Sequence, residues 1–106
     1  MKEIKFDSAA LHFLDELETI LIAKQYVSFP ETADHYIEDL IDFITKNIDH
    51  LPHKKAPHYF SKYGKNLWYI FYKRNQQTTW YIFFEKTAYH YLVRYISNNH
   101  VSGKYF

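Results

Sequence analysis

The chain contains no cysteine, which removes disulfide bonds and thiolate metal ligands from any account of how it folds or works. That absence suits a reducing cytosol, and a cytoplasmic protein is the expectation. No stretch approaches the ~18 consecutive apolar residues of a membrane helix. The opening MKEIKFDSAALHF lacks the apolar core of a secretion signal. Glycine and proline are scarce, two and three in 106 residues, so low-complexity and linker behaviour are not expected. Glycine-rich phosphate loops, nucleophile elbows and zinc-protease motifs are missing as well. Histidine is plentiful, and His50, His53 and His58 gather near Asp49, but their spacing fits no compact tetrahedral metal site. No cofactor is expected.

Acidic residues are nearly absent from one half only. Residues 51 to 106 hold nine Lys and Arg against the single Glu85, whereas residues 1 to 50 hold four Lys against eleven Asp and Glu. The net charge of +1 therefore hides a molecule that is electrically two-sided along its sequence. Of 22 aromatic residues, 16 lie in the basic half. Cations neutralise phosphates and rings stack on bases, so this pairing points to a nucleic-acid or acidic partner. Lys54, Lys55, Lys65 and Arg74 are the candidate nucleic-acid contacts. The plainer reading is that basic strands complement acidic helices within the fold, and that an exposed Lys54–Lys55 pair merely solvates a loop.

The length allows one domain around one core. Aromatic and β-branched runs at Leu67 to Lys73, Thr78 to Glu85 and Ala88 to Ser97 favour strands, and their short connections allow only antiparallel neighbours. Both faces of this meander are largely apolar, Trp80, Ile82 and Phe84 on one and Tyr81 and Phe83 on the other, so something must cover it. Glu3 to Phe6 reads as an edge strand. Ser8 is then a plausible N-cap for a helix carrying Leu11, Leu14, Leu17 and Leu21 with Phe13 and Ile20 to about Val27. Ser28, Phe29 and Pro30 interrupt it. A second helix follows, with Ala33, Tyr36, Ile37, Leu40, Ile41, Ile44, Ile48 and Leu51 on one stripe and Asp34, Glu38, Asp39, Asp42 and Asp49 opposite, ended by Pro52. His58 to Tyr63 reads as a further strand turning at Gly64 and Lys65. The whole is an α+β domain over residues 1–106: an N-terminal strand and a two-helix hairpin packed on an antiparallel β-meander, in the order β, α, α, β, β, β, β.

That order, the Leu-Pro exit from the second helix, TTWYIFF at Thr78 to Phe84 and LVRYISNNH at Leu92 to His100 resemble the RelE/ParE superfamily, toxins of bacterial type II toxin–antitoxin systems. The resemblance covers nearly the whole chain. It implies a protein that arrests growth unless bound by a cognate antitoxin, which such toxins accept along a strand edge or groove. RelE-type members resemble one another as metal-independent endoribonucleases that cut mRNA in the ribosomal A site, with the neighbouring 2′-hydroxyl as nucleophile. Such cleavage requires a base, a cation for the phosphate and an acid for the leaving oxygen.

Carried onto this chain, the resemblance makes Lys62 the basic residue beside the cleft and Arg94 a bidentate phosphate clamp. His100 becomes the general acid or base, and Tyr105 the tail aromatic that stacks on or orients a base. The strand Leu67 to Ile70, which often bears an arginine in RelE-type enzymes, has no cation here. A ParE-like inhibitor that poisons DNA gyrase by contact alone would tolerate that departure, as would an interaction module that kept the fold and lost toxicity. Each residue also has a structural reading: Arg94 paired with an acid, His100 solvated near the end of a strand, Asn98 and Asn99 making a turn.

Overall fold

The computed structural model describes residues 2–27 and 30–106. The expected interruption at Ser28 and Phe29 lies outside the described residues. The chain forms β1 (Glu3–Phe6), α1 (Ser8–Ala23), α2 (Pro30–Asn47), β2 (Lys54–Lys55), β3 (Trp68–Lys73), β4 (Thr79–Lys86), β5 (His90–Asn98) and the short α3 (Asn99–Ser102). Two 3-10 turns, His58–Tyr63 and Gly103–Tyr105, complete it. The domain is thus α+β, as expected.

Asp7, not Ser8, caps α1: its backbone is extended and its Oδ1 accepts from the Ala10 amide at 2.9 Å. Either side chain can cap, and the register in which Ala10, Leu17 and Leu21 face inward decides between them. That register turns Leu11 outward, about 100° from Ala10, so it leaves the stripe proposed for it. In α2 the inward line is Ala33, Tyr36, Leu40 and Ile44, while Asp34, Glu38, Asp39 and Asp42 are exposed. Regular helix stops at Asn47, and a turn carries Ile48 into the core ahead of Pro52.

The sheet has five strands in the order β1-β5-β4-β3-β2. Three antiparallel pairs make up the expected meander and its extension, and β1 adds parallel to β5, aligning Phe6 with Val93. The extra strand is not His58–Tyr63. Lys54–Lys55 pairs with Tyr69 and Trp68, and HYFSKY instead winds into a 3-10 turn. Aromatic residues suit strands by propensity, but here Phe60 is fully buried against Phe83, ring centroids 4.4 Å apart, and that packing overrides propensity.

Two apolar layers result. The helix side of the sheet, including Ile70, Trp80, Ile82, Phe84, Val93 and Ile96, packs under α1 and α2. Trp80 is fully buried and donates its indole N–H to the Tyr36 hydroxyl at 2.8 Å. The reverse side has a second, smaller cluster of Phe60, Leu67 and Phe83 ringed by Tyr63, Tyr69, Tyr81, Tyr95 and Tyr105. One core was expected; the two 3-10 turns build the other by covering the reverse face.

Candidate nucleic-acid interface

The reverse face of the sheet gathers most of the aromatic residues of the basic half. Tyr59 on the first 3-10 turn lies parallel to Tyr105 on the second, 3.4 Å between centroids and 5° between planes. Lys62, one turn along from Tyr59, holds its Nζ 3.9 Å from the Tyr59 centroid. The neighbouring Lys62 ammonium, and then the Tyr105 hydroxyl, hold the Tyr59 phenol below the usual tyrosine range. Phe106 stacks on Tyr81 at 4.2 Å, and Tyr63 on Tyr95 at 3.8 Å. Burial first, and the neighbouring Tyr95 phenol second, push the Tyr63 phenol up to about 12. At the far edge Phe71 is 46 % exposed, with the Lys54 ammonium 5.8 Å from its centroid. These rings line a platform that alternates π-faces with ammonium groups, the combination that binds single-stranded nucleic acid.

Two acids near this face are already engaged. Arg94 reaches Asp7 with Nε 2.8 Å from Oδ2, and Glu85 with a terminal nitrogen 3.5 Å from Oε1. Arg94 Nε is buried, and its 2.8 Å contact with Asp7 Oδ2 is a charge pair that lacks hydrogen-bond alignment. Phe84 pairs with Val93 and Phe83 with Tyr95, leaving Arg94 as the extra residue of a β-bulge. Such a bulge re-aims its side chain, here toward β1 and β4. Glu85 Oε2 also accepts from the Lys65 amide at 3.2 Å. With Asp7 and Glu85 so held, Lys54, Lys62, Lys65 and Lys104 have no carboxylate partner among the described residues.

The sequence-derived candidates divide accordingly. Lys62 and Tyr105 come together, joined by Tyr59, which sequence reasoning missed. Lys54 lies at the rim of the platform, and Lys55 beside Trp68, 5.7 Å from its centroid. Arg74 is committed elsewhere: it binds Asp39 at 2.9 Å and the Tyr72 hydroxyl at 3.2 Å, and covers the Tyr36 ring at 4.4 Å, pinning the β3–β4 hairpin to α2. Arg94 has two carboxylates, so a phosphate would have to displace one. His100 stands on the helix side of β5. Its Nε2 is 3.0 Å from Thr78 Oγ1 and its ring 5.5 Å from that of Tyr26. Asn98 caps α3 by accepting from the His100 and Val101 amides, and Asn99 ties the chain to Thr79 and Gln77, so both asparagines do end the strand.

Nor do the clustered histidines share a centre. His53 bonds the Ile48 carbonyl through Nε2 at 2.6 Å and the Lys86 ammonium through Nδ1 at 3.0 Å. No group of three or more His, Asp or Glu among the described residues is placed to hold a metal ion. No helix among them is long and apolar enough to cross a membrane.

The charge asymmetry of the sequence is also spatial. Exposed carboxylates line the outer faces of α1 and α2, with Asp15, Glu16 and Glu18 on one and Glu38, Asp39 and Asp42 on the other, while lysines with no carboxylate partner among the described residues rim the reverse of the sheet. The missed residues Tyr59, Phe71 and Phe106 had one signal, aromatics set beside lysines in HYFSKY, YIFYK and GKYF. Comparison with protein-family profiles, characterised proteins and solved structures returned no match, so the reading of this face rests on its own chemistry.

Proposed function

We propose that the protein binds single-stranded RNA across the reverse face of its sheet, and does so as the RelE-like toxin of a type II toxin–antitoxin pair, acting on mRNA at the ribosome. The observation that carries this reading is the Tyr59–Tyr105 stack beneath the Lys62 ammonium, set in a surface whose acids are neutralised by Arg94. Bases stack on exposed rings with little regard to sequence, here Phe71 and Phe106 on the same face, and a ribosome would supply the positioning that the protein's own sparse site lacks.

Cleavage would transfer the 2′-hydroxyl proton to a base as that oxygen attacks phosphorus, and deliver a proton to the departing 5′-oxygen, leaving a cyclic phosphate. Lys62 is the cation for the phosphate charge, and Tyr59, whose phenol Lys62 and Tyr105 shift toward ionisation, is the proton-exchanging group beside it. Arg94 then serves by cancelling Asp7 and Glu85, and His100 by holding Thr78 and α3. The cognate antitoxin would cover this face or an open strand edge, in the cytoplasm.

A second reading, ParE-like inhibition of DNA gyrase by contact without catalysis, is favoured by one specific observation: Arg94 is bound to two acids and His100 lies on the other side of β5. The test is a cell-free translation reaction with a defined mRNA, mapping new 5′ ends, and naked mRNA as control. Cuts at fixed codon positions only during translation are expected, abolished by Tyr59→Phe with Lys62→Gln. Undisturbed mRNA together with inhibited gyrase supercoiling would replace the first reading by the second.

A further inference from the structure

At the β2–β3 edge, beside the aromatic platform, the chain leaves a groove of about 340 Å³. Its walls include Lys55, His58, Ser61, Asn66, Leu67 and Trp68. That volume falls within the roughly 300–1,000 Å³ range of small-ligand sites. Trp68 is one of the lining residues, and its half-buried indole is flanked by two ammoniums: Lys55, which also lines the groove, with Nζ 5.7 Å from the centroid, and Lys86, outside the lining, with Nζ at 4.1 Å. Lys86 is held in place by His53 Nδ1 at 3.0 Å. No carboxylate lines the groove, and Glu85, which stands against Gly64, is engaged by Arg94 and the Lys65 amide. The remaining polar walls, His58, Asn66 and Ser61, offer an imidazole, an amide and a hydroxyl, each able to donate and to accept. Asn66 has φ 51°, a left-handed backbone that keeps this amide at the turn into β3.

An aromatic residue, a donor–acceptor amide and the Lys55 ammonium, with Lys86 beyond the indole and no acid in the lining, match the three parts of a nucleotide: base, base edge and phosphate. We propose that this groove is a binding subsite for one nucleoside monophosphate unit, with the base against Trp68, Asn66 at its edge and the phosphate toward Lys55 and Lys86. As one unit of an RNA strand the subsite rests on the RNA-binding reading above; as a site for a free mononucleotide it does not.

The two tryptophans make the test direct. Trp80 is fully buried, so a change in indole fluorescence on titration with 5′-mononucleotides reports Trp68. Each nucleoside monophosphate, the corresponding nucleosides, inorganic phosphate and a short single-stranded oligoribonucleotide are titrated into the full chain. Mononucleotides are expected to change Trp68 emission more tightly than nucleosides or phosphate, and Trp68→Phe to silence the response. Asn66→Gly keeps the left-handed turn while removing the amide, and should weaken binding about 2- to 12-fold. Lys55→Gln, at an exposed site, should lower the salt slope of oligonucleotide binding by about 0.7.

A response unchanged in both Asn66→Gly and Lys55→Gln, or no Trp68 response to any nucleotide, overturns the subsite. Oligonucleotide binding that persists by anisotropy while Trp68 stays silent sinks the subsite and leaves the RNA reading standing. Mononucleotide binding without oligonucleotide binding supports the subsite as a free-nucleotide site and removes the RNA reading.

Discussion

Phe60 holds the first 3-10 turn onto the sheet, and replacing it with alanine separates the stability of that cover from that of the helix-side core. The side chain is fully buried, and its ring meets Phe83 at 4.4 Å, Phe106 at 5.4 Å and Tyr105 at 6.1 Å. Full burial of such a ring contributes about 1.5–3 kcal/mol, the stack on Phe83 adds roughly 0.5–1.5, and the cavity left behind brings the expected loss to about 3–5 kcal/mol. For a chain of 106 residues that corresponds to a drop in Tm of roughly 13–22 °C, since the unfolding entropy is near 2 cal/mol/K per residue. Urea unfolding followed by the fluorescence of buried Trp80 measures the global loss. With RNA bound as proposed, anisotropy of a labelled oligoribonucleotide would report the reverse face, because Tyr59 next to Phe60 leaves its stack with Tyr105 when the turn detaches. Phe60→Leu, which keeps most of the apolar volume, should cost less than half as much. A Phe60→Ala loss below about 1 kcal/mol, with RNA binding unchanged, would refute the argument that Phe60 overrides strand propensity and carries the reverse cover.

Three further outcomes follow from the same contacts. Arg94→Met should cost about 1–3 kcal/mol, between the values for exposed and buried pairs, because the groups involved are 23–34 % exposed. Adding Glu85→Gln should recover part of that loss in a double-mutant cycle, and strict additivity would dismiss the ion pair. The Tyr91 phenol donates to Asp49 and is raised to about 12 by burial first and this bond second. The folded state therefore keeps a proton that the unfolded chain releases near 10, so its contribution is intact below pH 10 and is lost between pH 10 and 12. Phenolate absorbance of Tyr91→Phe against the parent checks this. Gly64→Ala would place a Cβ 2.7 Å from Glu85 Oε2, and the carboxylate is tied to Arg94 and the Lys65 amide, so a loss of about 1 kcal/mol is expected. That loss should vanish when Glu85 is alanine; if it persists, the clash lies elsewhere.

Helices and meander were readable because their signals are local and periodic. Leu17 and Leu21, Leu40 and Ile44, and the Trp80–Ile82–Phe84 alternation all face where spacing puts them. His58–Tyr63 misled because its aromatic composition is that of a strand, while its fate depends on Phe83, more than twenty residues further on in the chain. Lys54–Lys55 is a strand only because β3 lies alongside, and two residues carry no pattern. The role of Arg94 was equally hidden. Its partner Asp7 is at the other end of the sequence, and the bulge that aims it is a mismatch in strand pairing that no single strand displays. Lys62 and Tyr105 were found as separate residues, but only the folded chain sets Tyr59 between them.

The parallel pairing of β1 with β5 joins residues 3–6 to residues 90–93, so β1 is made 87 residues before the strand it pairs with (90 − 3). Until β5 has left the ribosome, Glu3–Phe6 has no partner, Asp7 faces no Arg94, and α1 and α2 have only part of the sheet to cover. Contacts of such long separation slow folding, because a loop of most of the chain must close before they form. The reverse-face cover has a delay of the same kind built in, because Tyr59 and Phe60 find their ring partners Tyr105 and Phe106 only across a long stretch of sequence.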